Sequence, residues 1–206
     1  MLTYFDEDMH ARNQDMRRQH PWSVQSSNPG NRYVDFKQRP DLIESALEDL
    51  QPIAGSVAAN AATDFLRWVN SDTSVFETND FGMRPLKPNR SGISSSSLEL
   101  YGRLSILFRD LKKNVGQNQP FEFGNRLSES IRINDPEFKQ ACWSWSLWPH
   151  QFTALSGLRE PATGNCLLMS YWAWGDSEAE VHRNFARSLT NLRAALEAVG
   201  QHIVES

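Results

Sequence analysis

Apolar residues recur every three or four positions in several segments of the chain, a spacing that predicts amphipathic helices. The first helix is expected to begin at Pro40 and to end near Pro52, and the second to cover about 56–70. The clearest helix begins after Gly175-Asp176 with a capping box at Ser177, carries a continuous apolar stripe and is expected to end at Gly200.

Alternating apolar residues predict two strands, Ala141 to Trp148 and Cys166 to Trp174. Both faces of the second strand are largely apolar, which favours a central position in its sheet. The link between the two strands is rich in glycine and proline and suits a loop that joins antiparallel neighbours. A further strand is expected near 151–155.

Residues 98–113 fit two patterns, because their leucines alternate as in a strand and also recur as on a helix. Signals at the two ends favour the helix. Ser96 and Glu99 have capping-box spacing, and the lysines before Gly116 are typical of a helix C-terminus. Another helix is expected within 121–139.

Residues 1–39 are polar and irregular, with short apolar patches at Leu2 to Phe5 and Tyr33 to Phe36. They predict an N-terminal arm or edge hairpin, with disorder of the first thirty residues as the alternative. Residues 40–206 predict a single α+β domain. The order of elements favours a small antiparallel sheet with helices packed on one face and a long C-terminal helix.

Residues 71–97 read as a long connection with at most a short strand at Val75-Phe76. Long loops in compact domains often carry function. Asp80 and Arg84, which lie in this connection, are therefore candidate contact residues.

The charge balance excludes some kinds of partner. The net charge is −4 and the isoelectric point is about 5.7, whereas nucleic acids and anionic membranes attract basic surfaces. No apolar run approaches the roughly 20 residues of a membrane helix. The N-terminus turns acidic at once and lacks the pattern of a secretory signal, so the expected location is the cytoplasm.

Recognisable catalytic and metal-binding motifs are absent. None of the five histidines is three or four positions from another, and the 11 glycines form no phosphate loop or nucleophile elbow. We therefore expect no cofactor, no metal and no enzymatic activity. Glu178 and His182 are spaced as an acid–base pair would be, but carboxylates are common in the first turn of any helix. Cys142 and Cys166 are expected to be buried free thiols.

Tryptophan is unusually frequent, and five of the seven lie between Trp143 and Trp174. Core packing is one explanation, and exposure at a binding surface is the other. Trp172 and Trp174 are the expected core members. Trp148 and His150, in an expected turn around Pro149, are the expected surface anchors.

Acidic residues provide a second set of candidate contacts, Asp176 and Glu178 at the start of the last helix. A solvated face is the ordinary explanation. An acidic surface would also suit a protein that covers the basic groove of a nuclease.

Four segments resemble those of bacterial immunity proteins: Asn79 to Pro85, Gly102 to Asp110, Ala141 to Pro149 and Tyr171 to Asp176. More narrowly, the chain resembles the family that neutralises restriction-endonuclease-like toxins delivered by type VI secretion. The resemblance implies a cytoplasmic antitoxin, encoded beside its toxin, that blocks the toxin by stoichiometric binding.

Two other functions stay open at this point. One is a secretion adaptor that loads an effector without inhibiting it, and the other is an enzyme with an unfamiliar site. A homodimer is a further possibility, since exposed tryptophan or an open sheet edge would support self-association.

Overall fold

A mixed β-sheet organises the residues that the computed structural model describes, which are 1–15, 18–21, 34–48, 53, 56–153, 155 and 162–204. The strands within these ranges are β1 (Leu2–Phe5), β2 (Arg18–His20), β3 (Phe76–Met83), β4 (Lys87–Pro88), β5 (Leu98–Phe108), β6 (Ala141–Phe152) and β7 (Ala162–Gly175). The helices are α1 (Glu7–Asn13), α2 (Ile43–Glu48), α3 (Val57–Val69), α4 (Asn118–Asn134) and α5 (Glu178–Val204).

The strand order is β1-β6-β7-β5-β3, with β2 beside β6 and β4 beside β5. The long central strands are antiparallel, and β6 pairs with β7 from Ala141 opposite Ala173 to Phe152 opposite Ala162. The predicted α+β class, with an antiparallel core sheet and a long C-terminal helix, is confirmed.

The main core lies between one face of the sheet and helices α3, α4 and α5. Trp143 and Trp145 of β6 and Tyr171 of β7 point into this core beside Phe185 of α5, and each is at most 2% exposed. We call this side of the sheet the helix face. The start of α3 follows local sequence, because the Ser56 side chain accepts hydrogen bonds from backbone N–H groups of the first turn.

The last helix extends beyond its predicted end. It passes Gly200 and reaches Val204. A Cβ atom at position 200 would lie 3.2 Å from the Phe76 ring and from the Val75 side chain. The glycine therefore allows close packing against β3 inside the helix and does not end it.

The helix predicted over 98–113 is wrong, because residues 98–108 form strand β5 between β7 and β3. Both of its faces are buried over much of its length, so leucines occupy both faces and imitate a helical stripe. The supposed cap residue Glu99 instead forms an ion pair with Lys87 of β4. The supposed helix end forms a short 3-10 turn, Leu111–Asn114, capped by Asp110.

The segment predicted as a long connection, 71–97, contains an eight-residue strand, β3, with a register shift at Asn79. The shift reverses the alternation of side chains within β3, which hides the strand from a simple period of two.

The N-terminal segment forms part of the sheet edge. The two strands β1 and β2 pair in parallel with successive stretches of β6 and do not pair with each other, with α1 between them. They therefore occupy the edge without forming a hairpin. Of the patch at 33–36, Tyr33 lies outside the described residues, and Val34 to Phe36 are not in a strand.

Candidate functional site

The sheet face opposite the helix face carries a row of aromatic and arginine side chains. Leu2 lies opposite Cys142, Cys142 opposite Trp172, and Trp172 opposite Tyr101. The row continues to Arg84, whose backbone N–H donates to the Tyr101 carbonyl. We use the name aromatic–arginine face for the surface formed by Tyr4, Arg84, Tyr101, Arg103 and Trp172.

Several side chains of this face are open to solvent. Tyr4 is 45% exposed, the Arg103 side chain is 44% exposed and Arg84 is exposed, while Tyr101 and Trp172 are partly exposed. The Tyr101 and Trp172 rings lie 5.2 Å apart, and the Arg84 guanidinium lies 5.4 Å from the Tyr101 ring centre. Tyrosine, tryptophan and arginine are the residues most enriched at the energetic centres of protein interfaces.

A charged cluster adjoins the β3 end of the face. The Arg103 Nε atom lies 2.8 Å from the Asp80 carboxylate, and Arg18 approaches the same carboxylate at 3.6 Å. Burial raises the pKa of Asp80, although the two guanidinium groups act in the opposite direction. The Arg18 guanidinium also lies 4.0 Å above the Trp148 ring. Asp80 therefore orders two arginines at the edge of the face.

A buried chain of polar side chains continues inward from this cluster. The Glu77 carboxylate lies 3.0 Å from Nε2 of His20, and Nδ1 of His20 lies 3.0 Å from Oδ1 of Asn79. Nδ2 of Asn79 lies 2.8 Å from Nε2 of His150, and Nδ1 of His150 lies 2.9 Å from the carbonyl oxygen of Trp148. Lys37 also donates to Glu77, at 2.5 Å.

This series of hydrogen bonds ends at an acceptor on each side, the Glu77 carboxylate and the Trp148 carbonyl oxygen. These two acceptors determine which histidine nitrogens carry a proton. The Trp148 carbonyl requires an N–H on Nδ1 of His150, and the Glu77 carboxylate requires one on Nε2 of His20. The Asn79 amide N–H donates to Nε2 of His150, so this nitrogen carries no proton and the His150 ring is neutral. Burial lowers the pKa of His150 to about 4, which agrees with a neutral ring.

The turn predicted around Trp148 and His150 is wrong, and neither residue is a surface anchor. Both lie inside β6, where Trp148 is 4% exposed and His150 is fully buried. Pro149 suggested a turn, but it lies between the stretches of β6 that pair with β1 and β2, so its missing N–H removes no ladder bond there.

Asp80 and Arg84 lie together at the β3 end of the sheet, whereas Asp176 and Glu178 follow the far end of β7. Trp148 lies opposite Cys166, ten residues before Asp176 along β7, so Trp148 and Asp176 are separated by about 30 Å. The structure thus brings Asp80 close to Trp148, because Arg18 contacts both. Arg84 lies instead above the Tyr101 ring, and Asp176 and Glu178 are far from Trp148.

Asp176 and Glu178 are both exposed. Asp176 accepts hydrogen bonds from the backbone N–H and the hydroxyl of Ser97, and its own N–H donates to Glu180. These contacts stabilise the junction of β7 with α5. His182, the suggested acid–base partner of Glu178, is 5% exposed.

The two cysteines are buried free thiols, as expected. Burial raises the pKa of Cys142 to about 12 and that of Cys166 further still, so neither forms a reactive thiolate near neutral pH. Within the described part of the chain, no group of three or more histidine, cysteine or carboxylate side chains is arranged to hold a metal ion.

Sequence reasoning missed Tyr4, Tyr101 and Arg103, and it assigned Trp172 to the core. The alternation of apolar residues within 98–108 indicates a strand that would place Tyr101 and Arg103 on one face, but the segment was predicted as a helix. Trp172 stands two residues from the fully buried Trp174 on the same face of β7, and only tertiary packing separates their environments.

Comparison of the chain with known protein families, curated proteins and solved structures found no match. Among the described residues, no helix combines the length and apolar character needed to cross a membrane.

Proposed function

We propose that the chain acts by stoichiometric binding of a partner protein, and that the aromatic–arginine face makes the contact. The observation that supports this proposal is the exposure of tyrosine and arginine side chains beside Trp172 on the sheet face opposite the three long helices. Exposed side chains of these types form few favourable contacts within a monomer, and they contribute strongly when a partner desolvates them.

The resemblance to immunity proteins supports a more specific form of the proposal. In that form, the chain is a cytoplasmic antitoxin that neutralises a cognate secreted toxin encoded beside it. The buried polar chain supports a structural role for His150, because its neutral ring has both nitrogens hydrogen-bonded and is closed to solvent.

The test is co-expression of the chain with the product of the adjacent gene, followed by growth assays and light scattering of the purified mixture. We expect protection from toxicity and a complex of fixed stoichiometry. A double variant, Tyr101→Ala with Trp172→Ala, is expected to lose protection. Ile133→Ala, which removes a 69%-exposed side chain from α4, is the matched control and is expected to protect fully.

Two results would contradict different parts of the proposal, the first only its antitoxin form and the second partner binding itself. A complex that forms without protection would indicate a secretion adaptor. The absence of both complex and protection would reject partner binding to the adjacent gene product.

A further inference from the structure

The aromatic–arginine face has an uneven charge distribution. At its β3 end, the guanidinium groups of Arg18 and Arg103 approach the carboxylate of Asp80, and a third guanidinium group, that of Arg84, lies further along the chain above the Tyr101 ring. This end therefore has a formal excess of positive charge, although the chain as a whole carries a net charge of −4. A local charge opposite in sign to that of the whole molecule indicates a specific contact surface better than the overall balance does.

Arg84 is the most available of these cations. Arg18 and Arg103 are held by Asp80, whereas no ion pair joins Arg84 to a described residue. Its guanidinium group lies above the Tyr101 ring, which supports it in one position while its N–H groups stay open to solvent. A guanidinium held in this way is prepared for bidentate binding of a carboxylate, because fewer side-chain rotamers are lost on contact.

The opposite end of the face carries a carboxylate, that of Asp6. Asp6 follows β1, and its carboxylate lies 3.5 Å from the Ser144 hydroxyl on this side of the sheet. The pKa of Tyr4 is raised, most by burial of its phenol, then by Cys142 and then by Asp6. A nucleic acid strand laid along the row would place phosphates against this carboxylate. A protein surface can instead present acidic groups to one end of the row only.

We propose that the partner presents an acidic protein surface to Arg84 and Arg103, with apolar side chains against Tyr101 and Trp172. This inference rests on the proposed function and specifies the partner's chemistry. It reverses the expectation that acidic residues of this chain cover a basic nuclease groove. The surface bound at the β3 end is acidic and therefore differs from a groove that binds nucleic acid.

The experiment measures the dissociation constant of the complex with the adjacent gene product at low and high salt for wild type, Arg84→Glu and Arg183→Glu. Arg183 is an exposed residue of α5 and serves as the charge-matched control. We expect Arg84→Glu to weaken binding at low salt by about tenfold or more, mainly through slower association, and to reduce the salt dependence. Arg183→Glu is expected to bind like wild type, and circular dichroism checks that each variant is folded.

The outcomes separate this inference from the proposed function. If wild type binds and protects but Arg84→Glu binds equally well or better, the acidic-partner inference is overturned and the proposed function stands. If wild type neither binds nor protects, both fail. Two further results would also overturn it: single-stranded oligonucleotide binding that Arg84→Glu abolishes, detected by fluorescence anisotropy, and a homodimer that the same variant dissociates.

Discussion

Mild acidification is expected to destabilise the chain through His150. The ring is neutral in the folded state, where its Nε2 atom accepts a hydrogen bond from Asn79. A proton on Nε2 would face the Asn79 amide N–H and disrupt the series of hydrogen bonds that continues to His20 and Glu77. The charged groups near His150 are also unfavourable, because both His20 and Arg18 lower its pKa in addition to the larger effect of burial.

The magnitude follows from the pKa of His150, which falls from 6.5 to about 4 on folding. On acidification the unfolded chain binds this proton first, so stability is complete above about pH 6.5 and is lost as the pH falls towards 4. At about 1.4 kcal/mol per pH unit, the full loss is about 3 kcal/mol, of which about 2 kcal/mol appears by pH 5. The pKa of Glu77 is lowered from 4.5, because hydrogen bonds from His20 and Lys37 outweigh the effect of burial. Its contribution is therefore present above about 4.5 and is lost below it, outside the chosen window.

The assay is urea unfolding followed by tryptophan fluorescence at several pH values between about 7.5 and 5. Wild type is expected to lose about 2 kcal/mol more than His150→Gln over this range. Leu107→Ala is the control, because it removes a buried side chain from the same side of the sheet without removing a titratable group. It is expected to be less stable at every pH with the wild-type slope. Parallel pH profiles for wild type and His150→Gln would refute the assignment of a neutral buried ring.

Three further predictions concern the core and the thiols. Gly102→Ala is expected to destabilise the fold by about 2–3 kcal/mol in the same urea assay, because a Cβ atom would lie 2.1 Å from the Tyr171 hydroxyl and displace its hydrogen bond to Gly82. An unchanged midpoint would contradict this packing. Gly124→Ala is expected to lower the melting temperature, since its Cβ would lie 2.4 Å from the Trp145 ring between α4 and β6; a wild-type melting curve would show that this contact is looser. Cys142 is expected to react with a thiol reagent only after urea is added, because it is 2% exposed and burial raises its pKa to about 12. Rapid labelling of the native protein would contradict that burial.

The pattern of apolar and polar residues correctly predicted the helices and strands that have one buried side and one exposed side. The helix at 56–70 and the last helix each have one apolar stripe and a clear N-terminal cap, so both could be located from sequence, although the end of the last helix was misplaced at Gly200. Strand β5 was not predicted, because both of its faces are largely buried and its sequence therefore lacks the polar half of the alternation.

The candidate site was only partly predictable. Asp80 and Arg84 were selected as members of a long connection, but they lie on and just after strand β3 at the edge of the sheet. Trp148 and His150 were selected because a proline beside them suggested a turn. A proline is tolerated within a strand where no neighbouring strand would accept a hydrogen bond from the N–H that it lacks. The order of strands in the sheet gives this information, and the local sequence does not.

The most direct test of the central claim, that the aromatic–arginine face binds a partner protein, is the dissociation constant of the complex for Trp172→Ala relative to Ile133→Ala. Removal of a central tryptophan at an interface is expected to cost about 2 kcal/mol or more, which weakens binding about thirtyfold. The account predicts this loss for Trp172→Ala and wild-type affinity for Ile133→Ala. Equal affinities for the two variants, in a complex that forms with wild type, would contradict it.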